Sequence, residues 1–291
     1  MSKFAAIDIG TNAVRLLIGD ISSDKDQEFV KKISYTRLPL RLGEEVFMIG
    51  KISDSKAEAF VKAMKAFSLI ADIFKVDDLR ACATSAMRDA KNGEEIIEKV
   101  KKEAGIDIEI ISGDEEARLI FGAFQLLKIE KKSHYLVIDV GGGSTEITIF
   151  ENGIKIAARS FDIGTVRILK DKVTDSSWEN VKTWLAENVS NNPHDVYGTG
   201  GNINKIHKLF GLTDDEEVSL SEMVDFADKL KALSLEDRMK KYKLKADRAD
   251  VILPALDIYI FCLNCLNVNE IAVPKMGLSD GMIYDMYLKS F

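Results

Sequence analysis

Ala6-Ile7-Asp8-Ile9-Gly10-Thr11-Asn12, followed by the largely apolar run Val14 to Ile18, has a second copy further along the chain. That copy is Val137-Ile138-Asp139-Val140-Gly141-Gly142-Gly143-Ser144-Thr145, followed by Glu146-Ile147-Thr148-Ile149, and the two aspartates stand 131 positions apart. Each copy is a β-rich run ending in an Asp, then a turn of small residues, then another β-rich run. Glycine lets a backbone approach a ligand closely, and successive N–H groups in such a turn form a concavity suited to phosphate oxygens. An aspartate cannot hold a phosphate itself, because like charges repel; it suits a divalent cation, with oxygen ligands. One such turn is a weak signal. Two, in matched settings, predict duplicated domains that pinch a phosphate chain and its Mg²⁺ between them.

Composition leaves room for that duplication. The chain has 291 residues, enough for two domains, with 46% hydrophobic and 30% charged residues and only 4 Pro. No apolar stretch approaches the ~20 residues that span a bilayer. A strand is expected directly after Met1-Ser2-Lys3, which leaves no room for a secretory signal, so the expected location is the cytoplasm. Forty basic against 47 acidic residues give a net charge of −7, which disfavours a general nucleic-acid binder. A polyanion would then need a local cluster of Arg, backbone N–H groups and metal. Three cysteines make no disulfide framework. Cys262 and Cys265 form a C-x-x-C inside the apolar, helical-looking run Ile258–Leu266; without a second ligand pair, burial is the expectation. His134, His194 and His207 are scattered.

Working outward from the first turn, strands are expected at Phe4–Ile9, Leu16–Ile21 and Phe29–Leu38. A helix follows, capped by Ser53 or Ser55, with Phe60, Val61, Met64, Phe67, Ile70, Ala71 and Phe74 along one face. Then come a strand at Leu79–Ala83, a helix capped by Asn92 and ended by Gly105, a strand at Ile106–Ile111 and a helix at Gly113–Leu127. The second copy repeats the opening: strands at His134–Val140, Glu146–Phe150 and Ile154–Phe161, the last two joined by an Asn152-Gly153 turn. Helices are expected around Val166 to Asp171 and Trp178 to Val189, then a short strand at Asp195–Gly198 and a helix ending at Gly211. Residues Asp214 to Asp247 read as charged and helical. The apolar helix around 249–268 carries Pro254, so it starts or kinks there. A strand at Glu270–Val273 and a helix at Asp280–Lys289 close the chain.

Besides the two Asp turns, polar constellations fall at strand ends in Ala83-Thr84-Ser85-Ala86-Met87-Arg88, Ser112-Gly113-Asp114-Glu115-Glu116-Ala117-Arg118 and Gly198-Thr199-Gly200-Gly201-Asn202, where α/β sheets bind ligands. With Asp8 to Leu17, Asp139 to Glu146 and Arg248-Ala249-Asp250-Val251-Ile252, these run end to end in an order that resembles the exopolyphosphatase/guanosine pentaphosphate phosphohydrolase (Ppx/GppA) family. That family sits in the superfamily of actin, sugar kinases and heat-shock chaperone ATPases. The glycine turns are common to the superfamily, whereas the Ser-Gly-x-Glu-Glu-Ala-Arg motif is particular to the family.

The resemblance implies an α/β fold of two duplicated actin-like (ribonuclease H-like) domains with an interdomain cleft. The expected domains are 1–124 and 125–278, with the helix at 279–291 packing back on the first. It implies a Mg²⁺-dependent exophosphatase acting on inorganic polyphosphate or guanosine pentaphosphate, with Glu116 as general base. The chemistry agrees: hydrolysis needs an aligned water, a proton acceptor and positive charge around the phosphoryl oxygens. Asp114 and Glu115 are explained equally well as acids in a helix's first turn. Mg²⁺ is expected on Asp139, with Asp8 and Glu146 nearby. Thr11, Asn12, Gly142, Gly143, Ser144 and Thr145 would cradle phosphates, and Arg15 and Arg88 would clamp the terminal phosphoryl group. Arg118 reads equally as a salt-bridge partner on a helix surface. Gly200, Gly201 and Asn202 line the site or merely open a helix.

Ala13 stands where many relatives carry a second Ser, and Ser279-Asp280-Gly281 where the family often has Arg before Asp-Gly. No C-terminal helical domain related to HD phosphohydrolases follows, so limited processivity on long chains is expected. A small-molecule kinase and a non-catalytic sensor of polyphosphate or (p)ppGpp are the competing readings. Apolar helices such as 249–268 suit a homodimer or simply a core.

Overall fold

The computed structural model describes residues 2–24, 27–127, 134–189 and 195–291; His194 lies outside them. The chain divides into two units, Met1–Lys128 with Met276–Phe291, and Ile129–Lys275.

Unit 1 holds a five-stranded sheet in the order β3-β2-β1-β4-β5. Its strands are β1 (Phe4–Ile9), β2 (Val14–Asp24), β3 (Gln27–Leu38), β4 (Asp78–Ala83) and β5 (Ile108–Ile110). The first three pair antiparallel, while β1–β4 and β4–β5 are parallel. Every residue of β1 is buried, as its apolar run requires of a central strand. The helices are α1 (Leu42–Ile49), α2 (Asp54–Phe74), α3 (Ser85–Asp89), α4 (Gly93–Ala104) and α5 (Gly113–Phe124). Ser53 caps α2, its side chain accepting from the Lys56 N–H, and the helix turns Phe60, Val61, Met64 and Phe67 inward. Burying each such side chain contributes about 1.5–3 kcal/mol. Asn92 precedes α4 but does not cap it. Its side chain is engaged by the Ile52 backbone instead, at 3.0 and 2.8 Å.

Unit 2 repeats the order, β8-β7-β6-β9, with β6 (His134–Val140), β7 (Thr145–Glu151), β8 (Ile154–Phe161) and β9 (Asp195–Thr199). β6, β7 and β8 pair antiparallel and β6–β9 parallel. The register even breaks at matching places, after Ile18 in unit 1 and after Ile149 in unit 2, each ten residues past its turn aspartate. Asn152 and Gly153 join β7 to β8 with φ of 53° and 75°, as a two-residue hairpin demands.

The helices here are α6 (Thr165–Leu169), α7 (Asp175–Asn188), α8 (Gly201–Phe210), α9 (Leu220–Lys231), α10 (Leu235–Tyr242), α11 (Ala246–Ala249) and α12 (Ile252–Leu266). A small second sheet pairs β10 (Val218–Ser219) with β11 (Glu270–Ile271). Pro254 falls in the first turn of α12, where its missing N–H costs nothing. Against the expectation that no apolar stretch is long enough, Ala246–Leu266 is long and apolar enough to cross a membrane, but 61% of its 18-residue apolar window is buried inside the protein. α12 is a core helix: Ile258, Tyr259, Cys262 and Leu263 pack with Ile138, Phe161 and Trp184. Its apolar face is spent there, so it supplies no argument for a homodimer. Cys262 is buried and Cys265 half-buried, and burial pushes both thiols up.

The closing helix α13 (Leu278–Lys289) belongs to unit 1, packed on α5, β1 and β2. Gly281 is the crossing point; a Cβ there would lie 1.9 Å from the Leu119 carbonyl oxygen.

Candidate functional site

In unit 1, β1 carries Asp8 into a turn closed by the Gly10 N–H donating to the Ala13 carbonyl at 3.1 Å. Asp8 and Arg15 are opposite one another on the β1–β2 ladder, and their side chains form an ion pair. The sequence reading gave these two separate tasks, metal and phosphate. In the fold they meet, because a carboxylate 6% exposed requires a charge partner. Thr11 and Asn12 are both buried, and the Thr11 hydroxyl hydrogen-bonds that of Ser85 at 2.8 Å. Ser85 opens α3, so the first turn and the Ala83–Arg88 segment form one constellation.

Arg88, exposed at the end of α3, donates to the Ile111 carbonyl at 2.8 Å. The next residue, Ser112, caps α5 by accepting from the Glu115 N–H. Asp114, Glu115 and Glu116 therefore occupy a helix's first turn, where the macrodipole favours acids. Their environments differ. Glu115 accepts from Arg118 at 2.7 and 2.8 Å and faces Arg80 at 3.4 Å; Arg118, and after it Arg80, hold its carboxyl below the usual range. Arg118 also reaches Asp285 at 3.0 Å, so it is the salt-bridge partner the alternative reading described. Glu116 is only 8% exposed.

In unit 2, the Gly141 N–H closes the second turn on the Ser144 carbonyl at 2.9 Å. Asp139 lies opposite Glu146 on the β6–β7 ladder, the pair of positions that Asp8 and Arg15 hold in unit 1. Both carboxylates are buried, 9% and 4% exposed, with an oxygen from each within 4.8 Å. Ser160, opposite on β8, donates to Glu146 at 2.7 Å. Two like charges facing across a ladder are unfavourable, and two buried hard-oxygen donors suit a divalent cation; these acids could hold a metal ion. Ser144 is buried beside them. Thr145 departs from expectation: its hydroxyl donates to the Ile163 carbonyl at 2.6 Å, so its proton serves the fold.

Gly200 has φ of 102°, a conformation reserved in practice for glycine. A Cβ there would lie 2.9 Å from an Asp139 carboxylate oxygen. This third turn therefore abuts Asp139 as well as starting α8. Gly201 underlies the Arg248 guanidinium, and the Asn202 side-chain oxygen accepts from Arg248 at 2.5 Å, bringing two of the sequence constellations together. Sequence reasoning missed Ser85 as Thr11's partner and Ser160 as Glu146's, because only strand register and helix placement bring them close.

The fold and its turns define an α/β protein with a duplicated mixed sheet, each copy carrying an acid-ended strand and a hydrogen-bonded turn that contains glycine. The chain belongs to the Ppx/GppA phosphatase family, whose model matches residues 21–290. It is 37% identical over 198 residues to a bifunctional 3-dehydroquinate synthase/phosphatase of Fusobacterium nucleatum; the match takes in 64% of this chain and 30% of that longer protein. It is 24% identical over 305 residues to exopolyphosphatase 1 of Mycobacterium bovis, covering 97% of this chain and 87% of the relative. Among solved structures, the Ppx/GppA family member of Aquifex aeolicus superposes with a TM-score of 0.79 at 27% identity, over 99% of this chain and 98% of that one.

Proposed function

We propose that this chain is a cytoplasmic, Mg²⁺-dependent phosphoanhydride hydrolase that removes the terminal phosphate of inorganic polyphosphate or of guanosine pentaphosphate. The observation that carries the reading is the exchange at one ladder position. Arg15 completes the first turn with a cation, suited to phosphate, and Glu146 completes the second with an acid, suited to metal. Family membership and the name of the mycobacterial relative support the same reaction.

In the proposed reaction a water oxygen bonds to the terminal phosphorus and the bond to the bridging oxygen breaks. The shortened chain leaves with that electron pair. Glu116 is the group assigned to take the water's proton; a buried carboxylate beside a polyanion is a stronger base than one in water. Arg88 and Arg15 are assigned to the phosphoryl oxygens, Arg15 exchanging its carboxylate partner for phosphate, where planar bidentate donors gain most. The N–H groups of Thr11, Asn12, Gly142, Gly143 and Ser144 are assigned to further phosphate oxygens. Asp139 and Glu146 would hold Mg²⁺, and the ion would neutralise charge on the phosphate oxygens.

Phosphate release from long-chain polyphosphate, tripolyphosphate and guanosine pentaphosphate, with Mg²⁺ or EDTA, tests the reading. Glu116→Gln is expected to lower kcat by a factor on the order of 10²–10⁴ with little change in binding. Release that survives EDTA removes the metal from the proposal, and full turnover by the variant removes Glu116.

A further inference from the structure

In both units the third strand leads straight into a short helix whose first residues are hydrogen-bonded to the phosphate turn. In unit 2 the Thr165 N–H donates to the Gly141 carbonyl at 3.1 Å and the Val166 N–H to that of Gly142 at 2.8 Å. The Arg167 N–H also reaches Gly142, at 3.3 Å, and the Arg167 side chain donates to the Gly143 carbonyl at 2.6 Å. Three consecutive carbonyls of the turn therefore face α6. In a planar trans peptide the N–H points opposite to its carbonyl, so the N–H groups of Gly142, Gly143 and Ser144 face away from α6. None of the three donates to a backbone carbonyl among the described residues.

Unit 1 has the same arrangement on α1. The Thr11 carbonyl accepts from the Gly43 N–H and the Asn12 carbonyl from the Arg41 N–H, each at 3.0 Å. The N–H groups of Asn12 and Ala13 are turned outward by the same geometry. A glycine stands at each contact. At Gly43 a Cβ would come 2.2 Å from the Thr11 side chain; at Gly164 it would come 2.5 Å from backbone atoms of both Gly142 and Gly143. The φ of Gly164 is −146°, open to any residue, so it is closeness that demands glycine there.

We infer that Gly164 and Arg167, with Gly43 as their counterpart in unit 1, are positioning residues that set the direction of the turn's N–H donors toward phosphate. This rests on the hydrolase reading above. Donors fixed before the ligand arrives bind it without a cost of reordering, and a shifted Gly142–Gly143 backbone loses that advantage.

The test is calorimetric binding of tripolyphosphate with Mg²⁺ to the full-length Glu116→Gln chain, alone and combined with Gly164→Ala, Arg167→Ala or Arg167→Lys. Steady-state kinetics are measured with Glu116 restored. Gly164→Ala and Arg167→Ala are expected to weaken binding roughly tenfold or more, raising KM by a larger factor than they lower kcat. Arg167→Lys keeps a donor for Gly143 and is expected to recover part of the loss. Parental affinity in both Gly164→Ala and Arg167→Ala overturns the inference, even if their thermal stability falls. If Gly164→Ala does not fold, by circular dichroism, Arg167→Ala decides alone. An unsubstituted chain that neither binds nor hydrolyses tripolyphosphate, long polyphosphate or guanosine pentaphosphate overturns the hydrolase reading, and this inference with it.

Discussion

The residue seven positions past each turn aspartate is arginine in one unit and glutamate in the other, on an otherwise repeated frame. A cross-strand Asp–Arg pair is self-neutralising, whereas two acids directly opposite one another, as Asp139 and Glu146 are, disfavour the fold by up to about 1 kcal/mol when both are ionised. Glu146→Gln should therefore do two opposite things. Without metal it should match or exceed the parent's Tm, since one buried charge is gone. With Mg²⁺ it should lose most of the rise in Tm that ligand linkage gives the parent. A full Mg²⁺-induced rise in the variant would take Glu146 out of the proposed metal site. The turns themselves were legible because their chemistry is local: Asp, glycine and hydroxyl residues lie within nine positions. The partners Arg15 and Glu146 were legible only as spacing. Reading their tasks needed the register that sets each directly across from its aspartate.

Elements show the same division. α2, α4, α5 and α12 are long enough to be read from sequence, α2 together with its apolar face and its Ser53 cap, and β1 and β6 run as expected. The structure adds α1 and α3, of eight and five residues. Helices this short are unstable alone and form because the surrounding fold packs them, so sequence periodicity carries little of them. Asn92 was the wrong cap for a related reason: its amide satisfies a segment 40 residues away. The α5–α13 crossing is equally invisible in sequence, since Gly281 reads as an ordinary helix residue. Gly281→Ala must push α13 off the Leu119 carbonyl and should cost about 1–3 kcal/mol, the usual penalty of overpacking, as a lower denaturant midpoint at unchanged slope. An unchanged midpoint would mean the two helices slide apart freely.

Across the molecule, unit 1 is built from two separated pieces of chain. An ion network holds the second piece on: Arg80 bonds Glu109 and Asp285 at 2.8 Å, and Asp285 also meets Arg118 at 3.0 Å and Lys289 at 2.8 Å. Burial pushes Asp285 up, but Lys289 and Arg118 outweigh it and leave its carboxyl below the ordinary value; Glu115 is likewise low. Folded pKa values below the unfolded ones mean the unfolded chain takes up protons first. The network's contribution is thus complete above about pH 4.5 and drains as pH falls toward the folded values. Asp280, raised by burial despite Lys32 at 2.9 Å, works in the opposite sense. Arg118→Ala should lower stability at pH 7 modestly and flatten the acid limb of the stability curve; parallel curves for variant and parent would exclude the network from acid sensitivity. The split chain also orders events at the ribosome. α13 is translated only after all of unit 2, and at ~5–20 residues per second the delay between α5 and α13 is on the order of ten seconds or more. Throughout it, α5 waits without the helix that packs against it. The nascent chain thus offers chaperones a greasy, half-built N-terminal layer while the later unit can already have closed.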